Sequence, residues 1–159
     1  VFGTDVPTPA EDAMKPFKLQ VVLEHRQRLE DQARQHLAQA LQDEKKVRDE
    51  IAHCRQRSEE VGQEYAQRQE QGMHAHEFML YENQLHHQRE RLERLEGQLR
   101  QAEQHVMACR RALGEASKEK KLLEKVKEKQ QLAELKKEQR REMAEIDEVA
   151  ILHRDEDSQ

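Results

Sequence analysis

The chain predicts an all-α fold: a long two-helix antiparallel coiled-coil hairpin with a C-terminal helical overhang. Three observations carry that prediction. The 159 residues are 38% charged but only 3% aromatic, with no Trp. Apolar residues reach 35%, below the roughly 45–50% of an ordinary globular domain, so they can cover a narrow seam but cannot fill a broad core. Finally, no proline follows Pro16, and apolar residues then recur at alternating steps of three and four on both sides of one break, as the seam of a coiled coil does.

Taken in order, Val1 to Ala13 hold Pro7 and Pro9 and show no helical period. Residues 1–13 read as a disordered N-terminal extension or cloning remnant, with Met14 as a natural start. The domain then spans 14–154. Pro16 falls where a first helical turn tolerates a missing N–H.

The first helix is expected over 17–71. Its seam reads Val22, Leu29, Ala33, Leu37, Ala40, Val47, Ile51, Cys54, Val61 and Tyr65, with Glu44 and Ser58 as polar positions. The Leu29–Ala33–Leu37 steps are both four, which predicts a stutter. At 72–76 the heptad is lost, and Gly72 is the residue type that most often follows a helix C-terminus.

The second helix is expected over 77–153, with a frayed tail at 155–159. Phe78, Tyr81, Leu85, Gln88, Leu92, Leu95, Leu99, Ala102, Val106, Cys109, Leu113, Ala116, Lys120 and Leu123 alternate in threes and fours without a break. A looser seam continues through Val126, Leu132, Leu135, Met143, Ile146 and Ala150. Gly97 and Gly114 lie off the seam, each costing about 1 kcal/mol against Ala.

A turn centred near 72–75 pairs positions whose numbers sum to about 146. Phe17 then faces about residue 129, and nothing in the hairpin faces the stretch beyond. At the helical rise, the paired part is roughly 80 Å long and the overhang roughly 35 Å. A lone helix of that kind is marginal in water, so the overhang is either frayed or held by another protein. The same register separates Cys54 and Cys109 by roughly 25 Å along the axis. That is too far for a disulfide, and both read as small buried hydrophobes.

Composition excludes several function classes. A net charge of -5 with both signs interleaved gives no basic patch for nucleic acid. No apolar run is long enough to span a membrane. Gly-rich phosphate loops, nucleophile elbows, CxxC and HExxH motifs are missing from the sequence. The histidines near the turn, His74, His76, His86 and His87, do not converge as metal ligands must. No cofactor, metal or catalytic residue is expected, and the chain reads as a non-enzyme that binds partner proteins.

Two surfaces stand out. Tyr65, Phe78 and Tyr81 gather at the hairpin tip, with Leu85 one turn further. They are either a plug closing the end or a partner-binding patch, since Tyr is a favoured interface anchor. The second is the run Lys118, Lys120, Lys121, Lys125, Lys127, Lys129, Lys136, Lys137, Arg140 and Arg141. It is either a solvated helix face or a segment that docks against acidic protein.

Three further stretches are distinctive by their residues, order and spacing. The first is Phe17-Lys18-Leu19-Gln20-Val21-Val22-Leu23 with Arg26 and Glu30. The second is Gly72-Met73 followed by Phe78 and Tyr81. The third is Ser117-Lys118-Glu119-Lys120-Lys121-Leu122-Leu123-Glu124-Lys125 with Asp147-Glu148-Val149-Ala150. In that order they resemble the FliJ family, the small coiled-coil component of the bacterial flagellar type III export apparatus; the likeness covers about Met14 to Arg154, and departs from the family just after Tyr81, at Asn83 and Gln84.

That resemblance implies a protein similar in shape to the central stalk of rotary ATPases. Such a protein binds the flagellar export ATPase ring, promotes its assembly and links it to the cytoplasmic domain of the export gate. It also implies binding of export chaperones and a general chaperone role in export. The basic overhang residues Lys120, Lys121, Lys125, Lys127, Lys136, Lys137 and Arg140, with the start of the first helix, are assigned to the ATPase. The tip residues Tyr65, Phe78, Tyr81 and Leu85 are assigned to the gate. The implied location is the cytoplasm, peripheral at the inner membrane through partners, with the chain monomeric on its own. A stalk protein of a virulence type III secretion system and a generic structural coiled-coil adaptor are the alternatives. A nucleic-acid-associated arm is a more distant one.

Overall fold

The computed structural model describes residues 18–156. The expected extension at 1–13, the residues from Met14 to Phe17 and the last three residues of the expected tail lie outside it. The described residues form two helices, α1 (Gln20–Gln71) and α2 (Ala75–Glu156). Among the described residues there is no strand.

Gly72 ends α1 with φ at 89°. An L side chain in that left-handed conformation pushes Cβ against the following carbonyl, which glycine avoids. The Gly72 N–H reaches back to the Gln69 carbonyl at 3.4 Å, closing the last turn. The Phe78 N–H then donates to the His74 carbonyl at 3.1 Å. His74 therefore caps α2, and the helix begins two residues earlier than its hydrophobic period indicates. The connection is three residues, Gly72-Met73-His74, within the length that joins the two antiparallel helices of an αα-hairpin. At the other end α2 is helical through Glu156, beyond the expected end at 153, because nothing in Ile151–Glu156 breaks a helix.

The described residues fall into two packed units, Leu29–Ala116 and the segments on either side of it. In the first, the seam buries Ala40, Ile51, Cys54, Val61, Leu95, Val106 and Cys109. One cluster joins Ala40, Val106 and Cys109 with Leu37. A second joins Ile51, Cys54 and Leu95 with Val47, Leu92 and Leu99. These partners pair at numbers summing close to 146, as the position of the turn requires. Cross-helix ion pairs line the seam, Arg48 with Glu103 at 3.1 Å and Arg55 with Glu96 at 3.4 Å.

Both cysteines are buried and free. The Cys54 thiol donates to the side-chain oxygen of Gln88 at 3.3 Å, and Cys109 Sγ lies 3.8 Å from His105 Nε2.

The start of α1 differs from the sequence expectation. Val22 is 41% exposed, while Leu23 is half-buried and Glu30 is buried. The inward positions Leu23, Arg26, Glu30, Ala33 and Leu37 alternate by three and four, so there is no stutter. A hydrophobic-only reading skips Glu30 because it is charged and substitutes Leu29, its half-buried neighbour. The Glu30 carboxylate is only 4% exposed and pairs with Arg34 one turn on.

In the second unit, Arg26 pairs with Glu119, and Lys127 Nζ donates to Gln20 Oε1 at 3.1 Å. From Leu135 to Arg154 every residue of α2 is exposed. Leu132, Leu135, Met143 and Ile146 stand 51–66% exposed, so the apolar stripe continues with no partner helix among the described residues.

Candidate partner-binding surfaces

At the tip, the Tyr65 ring packs on two others. Its centroid is 5.8 Å from Phe78 at 51° and 5.2 Å from Tyr81 at 37°, tilted arrangements that aromatic quadrupoles favour. Tyr65 and Tyr81 are seam positions of opposite helices, which is why the sequence brings them together. Each phenol donates across the hairpin to the residue beside the other. Tyr65 Oη reaches Glu82 Oε1 at 3.0 Å, and Tyr81 Oη reaches Glu64 Oε1 at 3.0 Å. Arg68 and Glu77 close the end with a 3.1 Å bridge.

Both tyrosine pKa values are raised. For Tyr65 the cause is partial burial and then the Glu82 carboxylate, and for Tyr81 partial burial and then Glu64. A phenolate beside a carboxylate is opposed by both desolvation and like charge.

Plug and exposed patch coexist here. Tyr65, Tyr81 and Leu85 are half-buried, while Phe78 keeps 45% exposure although stacked. Met79 and Leu80 beside it are 61% and 56% exposed. Apolar surface at a coil end thus extends over three consecutive residues of α2. Sequence periodicity passes over Met79 and Leu80 because they lie off the seam. It also misses Glu64 and Glu82, whose signal is their place next to Tyr65 and Tyr81 at the paired register.

The basic residues of α2 divide into two kinds. Lys120 sits at a seam position, 20% exposed, with Glu124 at 3.7 Å, and Lys127 is half-buried and bound to Gln20. Their stems lie along the coil. Lys121, Lys125, Lys136, Lys137 and Arg140 are exposed. Of the seven basic residues assigned to the ATPase, five are therefore accessible cations, and Lys127 joins the two helices of the second unit.

Near the turn, His86 and His87 face Glu90 on their own helix at 3.1 and 3.9 Å. Among the described residues no group of three or more His, Cys, Asp or Glu converges as a metal site would. Among them, too, no helix is long and apolar enough to cross a membrane.

The chain matches the model of a protein family described as "Flagellar FliJ protein" over residues 14–154. No curated protein matches it, and no solved structure does. The family match spans both helices, the turn between them and the exposed C-terminal part of α2, and on that coverage the chain belongs to the FliJ family.

Proposed function

We propose that this protein is a non-catalytic, stalk-like coiled coil of the flagellar type III export apparatus. It binds the export ATPase ring, promotes its assembly and couples it to the cytoplasmic domain of the export gate. It also acts as an export chaperone, and its partners hold it at the cytoplasmic face of the inner membrane. Membership of the FliJ family supports a role in flagellar export. The finer reading rests on one observation: α2 runs on from Leu135 to Arg154 with every residue exposed. A helix that long with an uncovered apolar stripe is marginal by itself, so it gains most from entering a partner.

The roles divide by surface. Lys121, Lys125, Lys136, Lys137 and Arg140, with the start of α1, engage acidic surface of the ATPase ring. Lys127 contributes by holding α2 to the start of α1 through Gln20, and Lys120 by lying at a seam position beside Glu124. Tyr65, Phe78, Tyr81 and Leu85, with Met79 and Leu80 at their edge, engage the gate. Partly exposed aromatics flanked by carboxylates suit an interface anchored by a few rings within a polar rim.

The test is ATP hydrolysis and hexamer formation by the cognate export ATPase, with and without this protein. Stimulation with more hexamer is the expected result, and a chain ending at Glu128 should lose it. Replacing Tyr65, Phe78 and Tyr81 together by Ala should weaken gate binding at least tenfold, about 1.4 kcal/mol, and leave ATPase stimulation unchanged. Full stimulation by the shortened chain, or unchanged gate affinity in the triple variant, removes the corresponding assignment.

A further inference from the structure

Beside the basic residues assigned to the ATPase, the C-terminal part of α2 carries an acidic block to which the export reading gives no role. Residues 129–141 hold five Lys or Arg against two Glu, whereas residues 142–156 hold six Asp or Glu against Arg154. The segment is basic in its first half and acidic in its second, with the sign changing between Arg141 and Glu142.

The apolar stripe is nearly symmetric about the same point. Leu132, Leu135, Gln139, Met143, Ile146 and Ala150 follow steps of three and four on one helix face. All are exposed, and a shallow groove lined by Glu128, Gln131, Leu132 and Leu135 lies at its start.

Reversing the segment and laying it on itself places Leu132 opposite Ala150, Leu135 opposite Ile146 and Gln139 opposite Met143. The same reversal sets each basic half against an acidic half. A parallel alignment would stack like charge on like.

We propose that this face is a self-complementary docking surface whose occupant is a second copy of this chain, paired antiparallel through residues 129–156. The apolar stripe supplies the attraction, and the opposed charge blocks fix direction and register more than strength. The pairing covers the stripe of the free protein. It goes beyond the export reading and does not depend on it.

The full chain, without any partner, is followed by light scattering from low micromolar to several hundred micromolar, at low and high salt. The mass should rise from one chain toward two with concentration. The rise should be weaker at high salt, which screens exposed charge.

Two charge-reversed proteins test the orientation. One carries Lys136→Glu, Lys137→Glu, Arg140→Glu and Arg141→Glu. The other carries Glu142→Lys, Glu145→Lys, Asp147→Lys and Glu148→Lys. Each alone should keep the mass of one chain while retaining its helical circular dichroism, and an equimolar mixture should recover the mass of two. A single-chain mass for the unaltered protein throughout would overturn the proposal and leave the face to a different protein. A mixture of folded variants that stays monomeric, or a dimer that persists in a chain ending at Glu128, would overturn it as well.

Discussion

Gly72 and Gly114 look alike in sequence and should behave in opposite ways. Gly72 holds φ at 89° with open space around a built Cβ, so backbone conformation alone requires glycine there. Gly72→Ala should cost about 1–2 kcal/mol. Gly114 is exposed within α2, and a Cβ there also meets nothing within 4 Å. Gly114→Ala should therefore stabilise by about 1 kcal/mol. Urea midpoints of the two variants against the parent chain check both signs.

The tip tyrosines predict a pH dependence. Their pKa values are raised from an ordinary 10.0, so above pH 10 the folded state holds protons that the unfolded state has released. Stability from these phenols is then fully present below pH 10 and declines as pH rises through the higher folded values. Thermal midpoints should fall over that range, with a smaller slope after Tyr65→Phe and Tyr81→Phe together. Equal slopes in the two proteins would show that other groups govern the alkaline loss.

At the scale of the helix, position relative to the partner decides what a leucine is worth. Leu95 is 5% exposed and packs with Ile51 and Cys54, whereas Leu122 is 63% exposed. Leu95→Ala should destabilise by about 2–4 kcal/mol, as cavity-forming changes do. Leu122→Ala should stay within about 0.5 kcal/mol. Glu30 is the complementary case, a carboxylate buried on a seam position. A buried charge is weak support for stability, and here its loss of water is offset by Arg34 and its other contacts.

At the scale of the whole molecule, protection should be uneven. The segments around Ala40–Ile51 and Leu95–Cys109 are locked by packing across the seam. Leu135–Arg154 is exposed throughout and packs against no other helix among the described residues. Hydrogen exchange in dilute solution should therefore be slowest in the former and fastest, among helical amides, in the latter. Slow exchange from Leu135 to Arg154 at low concentration would mean that this helix is stable without a partner. The reason for giving it one in the export apparatus would then disappear.

Much of this was legible in the residues. The absence of proline after Pro16, the long alternation from Phe78 to Leu123 and the break at Gly72 specify two helices folding back on each other, because period and chain reversal are local properties. The pairing sum near 146 follows from the turn alone, and it already sets Tyr65 beside Tyr81. The tertiary structure decided what periodicity cannot weigh. Glu30, not Leu29, occupies the seam, since burial there depends on an ion partner. Lys120 and Lys127 lie along the coil while Lys121 and Lys125 do not, since a long aliphatic stem can follow either face. Phe78 remains exposed beside Met79 and Leu80, because a two-helix end has too little surface to cover three large side chains, and only the packed structure shows which rings it covers.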